Sequence, residues 1–228
     1  MYFIGITHKK YNYTIQPKIL YLQHMKLYNK YILPKAIDWA CSQKPSMKQR
    51  EKIIPLATGN VLEIGVGSGL NLPYYTKNIE KLTAIDPSKE LWDRGVVNTN
   101  ILPFDFEFLI AEAENIPAKN QSFDTIVITY TLCTIPNLKK AFSEIKRILK
   151  PSGKLLFCEH GKAPDNFVQK YQNIINPVWK KIGGGCNLNR NIPAIIEENG
   201  FIISKLETMY LPGWKPASFN YWGIAEMK

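Results

Sequence analysis

Glu63-Ile64-Gly65-Val66-Gly67-Ser68-Gly69 places glycines at every second position just where a short apolar run ends. Glycine lets a backbone turn sharply and lets a ligand approach the main chain closely. Asp86 closes the next apolar run, where a carboxylate can accept two hydrogen bonds from a ribose diol. A dinucleotide loop would read G-x-G-x-x-G and set a helix N-terminus against a pyrophosphate. The spacing here is G-x-G-x-G, with an acid two residues before the first glycine. A carboxylate at that place suits a cationic ligand better than a phosphate.

A second set of reactive side chains lies further along. His160 ends an apolar run, and an unperturbed imidazole, with a pKa of about 6.5, can take a proton at cellular pH. The stretch from Gly183 to Arg190 combines three glycines with Cys186, Asn187, Asn189 and Arg190. Its polar groups could orient a substrate, with Arg190 free for a carboxylate or phosphate. Alternatively Asn189 or Asn191 caps a helix and Arg190 is a structural ion-pair partner. Cys41, Cys133, Cys158 and Cys186 are scattered, with no C-x-x-C pair and no histidine at ligand spacing, which points to no metal and no disulfide framework.

These residues need a frame. After Gly59 short apolar runs alternate with longer mixed segments: VLEIG at 61–65, KLTAID at 81–86, FEFLI at 106–110, DTIVIT at 124–129 and KLLFCE at 154–159. Such runs suit strands covered on both faces. The segment Asn137 to Leu149 has helical period, the glycine loop is expected to open a helix, and another helix is expected from Ile192 to Asn199, ending at Gly200. The alternation implies an α/β fold with a doubly wound, mostly parallel, Rossmann-like sheet of seven strands. The last two candidates, Phe201 to Leu211 and Phe219 to Met227, leave no room for a crossover helix and should pair antiparallel. Ligands in such sheets sit at the carboxyl ends of the strands, which puts Tyr130 to Cys133, Glu159 and His160, and Gly183 to Arg190 around the acceptor. The aromatics Tyr210, Trp214, Phe219, Tyr221 and Trp222 are candidates for covering it.

Residues 1–24 are rich in tyrosine without a sustained period and are read as a poorly ordered arm. Residues 25–58 are read as accessory helices: one over Leu27 to Trp39, interrupted at Pro34, and one opened by Ser46 that ends before Pro55. Residues 59–228 form the main domain. Of the net charge of +10, residues 1–60 carry +8, which suits weak peripheral contact with an anionic membrane or a solvated face. The longest run without a charge, Thr125 to Leu138, is 14 residues, too short for a membrane-spanning helix. No secretory signal is evident over Met1 to Lys10, so a cytoplasmic location is expected.

VLEIGVGSG at 61–69, AIDPS at 84–88, AEAENIP at 111–117, SFDTIV at 122–127 and RILKPSGKLLFCEH at 147–160 together resemble the class I methyltransferases that use S-adenosyl-L-methionine and release S-adenosyl-L-homocysteine. LCTIPN at 132–137, CEHGKAPD at 158–165 and GGCNLNR at 184–190 carry a closer resemblance, to bacterial relatives of the methyltransferase-like protein seven group. Its animal members are membrane-associated thiol methyltransferases with a long apolar N-terminal anchor, of which residues 1–24 show no counterpart. The cofactor half is also similar to bacterial phosphatidylethanolamine N-methyltransferases and quinone C-methyltransferases.

The resemblance implies that Glu63, Gly65, Gly67 and Gly69 line the methionine end of the cofactor, that Asp86 binds its ribose, and that Glu112 and Ala113 flank its adenine, with Thr129 also on the cofactor side. The strand-end placement above supplies the acceptor side, with Tyr130, Cys133, Asn187, Asn189 and Arg190 as the candidate pocket and His160 as the candidate base. The expected reaction is methyl transfer to a small, apolar acceptor, a thiol foremost, with no metal. Its rivals are phospholipid headgroup or quinone methylation and a non-catalytic cofactor-binding protein. Nucleic acid is not expected, since the fourth strand ends ITYTLCT rather than the N-P-P-Y turn that clamps a flipped base.

Overall fold

The computed structural model describes residues 27–228, and the arm expected over residues 1–24 lies outside the described residues. Its seven strands are β1 (Gly59–Ile64), β2 (Ile79–Ile85), β3 (Asp105–Leu109), β4 (Phe123–Thr129), β5 (Leu149–His160), β6 (Phe201–Tyr210) and β7 (Phe219–Met227). They form one sheet in the order β3-β2-β1-β4-β5-β7-β6. The pairs β1–β2, β2–β3, β1–β4 and β4–β5 are parallel, and β7 runs antiparallel to both β5 and β6. The Rossmann-like expectation with its antiparallel last strand therefore holds. Between β6 and β7 lies only a turn and a four-residue helix, too little chain for a parallel crossover.

The helices are α1 (Leu33–Cys41), α2 (Lys44–Ile53), α3 (Lys89–Trp92), α4 (Leu138–Ile148), α5 (Asn166–Ile182), α6 (Ile192–Glu198) and α7 (Lys215–Ser218). Period-two alternation divides each central strand between two cores. Leu62, Ile64, Ile126, Ile128, Leu155 and Phe157 meet Phe142, Ile145 and Ile148 of α4 on one face. Val61, Val127, Leu156 and Cys158 meet Ile53, Ile54 and Trp222 on the other. In α4 Ala141, Phe142, Ile145 and Ile148 are fully buried, and each large apolar side chain so buried contributes roughly 1.5–3 kcal/mol. Asn137 caps that helix by accepting a hydrogen bond from the Lys140 amide at 3.0 Å.

Two local expectations are corrected and one is refined. The helical path runs without a break from Leu27 into α1, and the expected irregularity at Pro34 takes the form of a π-helical turn over Tyr28 to Ile32, just ahead of the proline. By contrast, α2 begins at Lys44 with Pro45 in its first turn, so Ser46 lies inside the helix instead of opening it. The glycine loop does not open an α-helix: Gly69 leads through a turn into a 3-10 turn at Leu72–Tyr74. Pro73 supplies no amide there, and the Asn71 side chain is drawn inward, away from any helix surface, onto Glu63 and Thr129.

Candidate active site

The chain leaves β1 for β2 on one side of the sheet and returns to β4 on the other, so the carboxyl ends of β1 and β4 flank the switch in strand order. That is where open sheets hold ligands. A cavity of about 390 Å³ lies there, within the ordinary range for small-molecule sites. Its floor is Gly65, Gly67, Asp86, Glu112, Ala113, Thr129 and Tyr130, all anticipated from the sequence. Its roof is Leu33, Pro34, Ile37, Asp38 and Cys41 of α1 and Arg50 of α2.

The loop needs its glycines. Gly65, Gly67 and Gly69 adopt φ of 76°, 56° and 79°, in the left-handed region. A Cβ on Gly65 would collide with the Thr131 side chain. Asp86 fastens the loop from below, its Oδ2 accepting from the Gly67 amide at 2.9 Å and its Oδ1 from the Ser88 amide at 2.8 Å. Burial raises the Asp86 pKa, and those two amide donors oppose the rise.

Glu63 occupies a different place from the one expected. It is 1% exposed and absent from the cavity wall; its two oxygens accept from Asn71 Nδ2 at 2.8 Å and the Tyr75 hydroxyl at 2.9 Å. Burial pushes its pKa up to about 7 despite both donors. On strand β1 it shares a face with Val61, the face covered by α2, so period two points it beneath the loop. Gly69 also stands off the cavity wall.

Arg50 is the residue that pattern reading missed. It is 4% exposed, and one guanidinium nitrogen donates to Asn71 Oδ1 and to Thr129 Oγ1, each at 2.7 Å. The guanidinium lies 5.0 Å from the centre of the Tyr130 ring, and its Nε has no partner. A buried cation at a cavity wall with a donor to spare can take an anionic ligand group. In the sequence it is one of several basic residues on α2 and carries no mark of its depth. Asp38 was also missed: it accepts from Ser68 Oγ at 2.5 Å and pairs with Arg94 at 3.3 Å, tying α1 to the glycine loop.

On the acceptor side the structure gathers Cys133, His160, Asn187 and Arg190, but none of them is on the cavity wall. Arg190 is not free for a carboxylate: its guanidinium donates to the carbonyls of Leu132 and Ile135 and holds the turn after β4. Asn187 donates from its backbone and its side chain to the Cys133 carbonyl, both at 2.9 Å. Asn189 donates to Asn173 at 2.8 Å, and it is Asn191 that caps α6 through the Ala194 amide. His160 sets Nε2 3.3 Å from Cys186 Sγ, in place of the expected reach toward a substrate. Burial, which alone would lower the His160 pKa, is outweighed by the Cys186 thiolate, and the imidazole is raised. The neighbouring Cys133 thiol first, then His160, draw the Cys186 pKa down. Of the five late aromatics, Phe219, Tyr221 and Trp222 are buried in the core, and Tyr210 and Trp214 stand off the cavity wall.

A cavity with a glycine-lined floor, an acid for a diol and a cation at its wall fits S-adenosylmethionine, which carries a ribose diol and a carboxylate. Comparison with known proteins agrees. A family profile described as a methyltransferase domain matches residues 62–157. A rat protein named thiol S-methyltransferase TMT1B is 31% identical over 166 residues, 71% of this chain and 65% of its own length, so the alignment spans a little under two thirds of that relative. Its mouse counterpart is 30% identical over 187 residues, covering 79% of this chain and 73% of its own. The solved structure of the N-methyltransferase NodS from Bradyrhizobium japonicum, in complex with S-adenosyl-L-homocysteine, superposes with a TM-score of 0.64 at 15% identity, over 90% of this chain and 97% of NodS. The fold, the cavity at its switch point and these likenesses together place the chain in the class I S-adenosylmethionine-dependent methyltransferase family, as an enzyme that transfers methyl groups.

Proposed function

We propose that the acceptor is a small apolar thiol, methylated in the cavity between α1 and the strand ends. The observation that carries the cofactor half is Arg50 and Asp86 on the wall of one cavity with the glycine loop between them. Asp86 takes the ribose hydroxyls, Glu112 and Ala113 lie beside the adenine, and the Gly65–Gly67 backbone and Thr129 hold the methionine end. Arg50 pairs with the methionine carboxylate. S-adenosylmethionine supplies, when bound, a methyl group on a positively charged sulfur. The work left to the protein is to hold the acceptor on the axis opposite that sulfur and to exclude water. Leu33, Pro34 and Ile37 of α1 supply an apolar wall for both tasks.

The thiol assignment is supported by the names of the rat and mouse relatives and by chemistry. A thiol with a pKa of about 8.5 already holds a few per cent thiolate at neutral pH, so alignment can suffice. An amine with a pKa of about 10.4 must lose its proton against a larger penalty. The test is incubation of the full chain with methyl-labelled cofactor and a panel of thiols, amines, phenols, quinones and phospholipids. Label on an apolar thiol is the expected product. Label on a phospholipid or quinone with every thiol blank overturns the assignment, and no product from any acceptor with cofactor bound would favour a binding protein instead.

Weak peripheral attachment to an anionic membrane is part of the same reading. Phe167, Tyr171, Ile174, Val178 and Ile182 recur at helical spacing along α5, and all are exposed. The Tyr28 hydroxyl donates to the Ile182 carbonyl at 2.6 Å, and Trp179 packs on the half-exposed Trp214, so the apolar stripe continues onto neighbouring segments. Lys170, Lys180 and Lys181 lie on the same helix. Among the described residues no helix is long and apolar enough to cross a membrane.

A further inference from the structure

We propose that Cys133, His160 and Cys186 form a binding site for a zinc ion. The three come from separate parts of the chain: Cys133 from the turn after β4, His160 from the last position of β5, and Cys186 from the loop between α5 and α6. Their ligand atoms all lie within 4.8 Å of one another, and Cys186 Sγ is 3.3 Å from His160 Nε2. With Zn–S of about 2.3 Å and Zn–N of about 2.0 Å, donors around one tetrahedral zinc stand about 3.5 to 3.8 Å apart. The cluster therefore needs only small side-chain shifts to close on an ion. Two thiolates and an imidazole are a borderline-soft set that suits zinc and not the hard cations, which prefer oxygen.

The surroundings are built around the cluster. Asn187, next to Cys186, holds the Cys133 carbonyl; Arg190 holds the carbonyls of Leu132 and Ile135; Glu159, next to His160, accepts from the Thr131 and Leu132 amides at 2.7 and 2.9 Å. Each ligand is thus positioned by hydrogen bonds made by its own sequence neighbours, which is how metal sites fix ligand geometry. Glu159 is fully buried and its second oxygen, Oε2, has no partner; His160 Nδ1 has none either. A buried carboxylate with one oxygen left unpartnered, next in sequence to a ligand of the cluster, is costly unless a neighbouring cation balances it. Cys186 and His160 each keep part of their surface open to solvent, which gives an ion a way in. Three protein donors leave a fourth position of a tetrahedral ion for an outside ligand, the arrangement of reactive rather than purely structural zinc sites.

The test uses the reduced, chelator-stripped full chain without cofactor or acceptor, so its result is independent of the thiol assignment. Cobalt(II) titration should give a thiolate-to-cobalt charge-transfer absorption that saturates at one equivalent and is displaced by zinc. Cys186→Ser and Cys133→Ser should each weaken zinc binding, read by competition with a chromophoric chelator, at least a hundredfold. Because a variant could fail to fold, the wild-type chain supplies a second readout: one equivalent of zinc should slow alkylation of Cys186 at least tenfold while leaving that of Cys41 unchanged, mapped by mass spectrometry. Absence of the charge-transfer absorption in the wild type, or alkylation of Cys186 that zinc does not slow, overturns the site.

Discussion

Glu63 shows how one side chain's depth changes its chemistry. Its carboxyl has a folded pKa of about 7 against an ordinary 4.5, because burial outweighs the donors from Tyr75 and Asn71. Between those values the folded protein binds a proton that the unfolded chain has released, so stability falls as pH rises through that window and levels off above it. The shift corresponds to about 3 kcal/mol. Glu63→Gln should remove most of this decline, measured as denaturant midpoints from pH 4.5 to 7.5; parallel pH profiles for the two proteins would show that Glu63 is not the group responsible. Asp86 and Arg50 carry the binding predictions. Asp86→Ala and Arg50→Ala each delete a charge-assisted hydrogen bond worth about 1.5–3 kcal/mol, so the affinity for S-adenosyl-L-homocysteine should fall about ten- to a hundredfold in each. Calorimetry showing unchanged affinity in either variant would remove that residue from the cofactor's contacts.

Among the elements, the turn after β4 and the loop between α5 and α6 act as one unit, because Arg190 and Asn187 bridge them. Arg190→Ala should cost about 2–3 kcal/mol by leaving the Leu132 and Ile135 carbonyls without their charged donor, while Arg190→Lys, which lacks the planar fork, recovers only part of it. Thermal denaturation reads this directly; a loss of turnover with full stability would instead restore Arg190 to the acceptor pocket. The glycine loop is the second such element. Gly65→Ala forces a left-handed side chain, costing about 1–2 kcal/mol before the collision with Thr131 is counted. Its stability should fall by more than that amount, and an unaltered melting point would mean that the loop adopts another backbone path.

At the scale of the whole molecule, charge and exposed apolar surface predict salt-sensitive attachment to anionic vesicles. The apolar stripe of α5 adds hydrophobic contact to the basic character of the first 60 residues. Ile174→Ser together with Val178→Ser should reduce co-sedimentation with phosphatidylserine-containing vesicles severalfold, and 1 M salt, where the Debye length is about 3 Å, should release the wild type. Sedimentation indifferent to both changes would leave the stripe and the charge as ordinary solvated surface.

The sheet and the turn of the glycine loop were legible in the residues themselves because they depend on local pattern. Continuous apolar runs report strands buried on two faces, glycines at every second position report a backbone turn, and an acid closing a strand is carried to the edge where open sheets hold ligands. Gly65, Gly67 and Asp86 accordingly meet on one cavity wall, together with Glu112, Ala113 and Thr129, which the family resemblance pointed to, and Tyr130, expected on the acceptor side. The local pattern failed where a side chain's role depends on what stands opposite it. Period two could place Glu63 on a face, but not tell which face the loop would cover; Arg50 looked like any surface cation until α2 was docked over Thr129. The spacing rule for metal ligands saw Cys133, His160 and Cys186 as unrelated, being 26 to 53 positions apart. Only the parallel order of β4 and β5, which brings the ends of both strands to the same edge beneath the loop that follows α5, sets their ligand atoms within 4.8 Å.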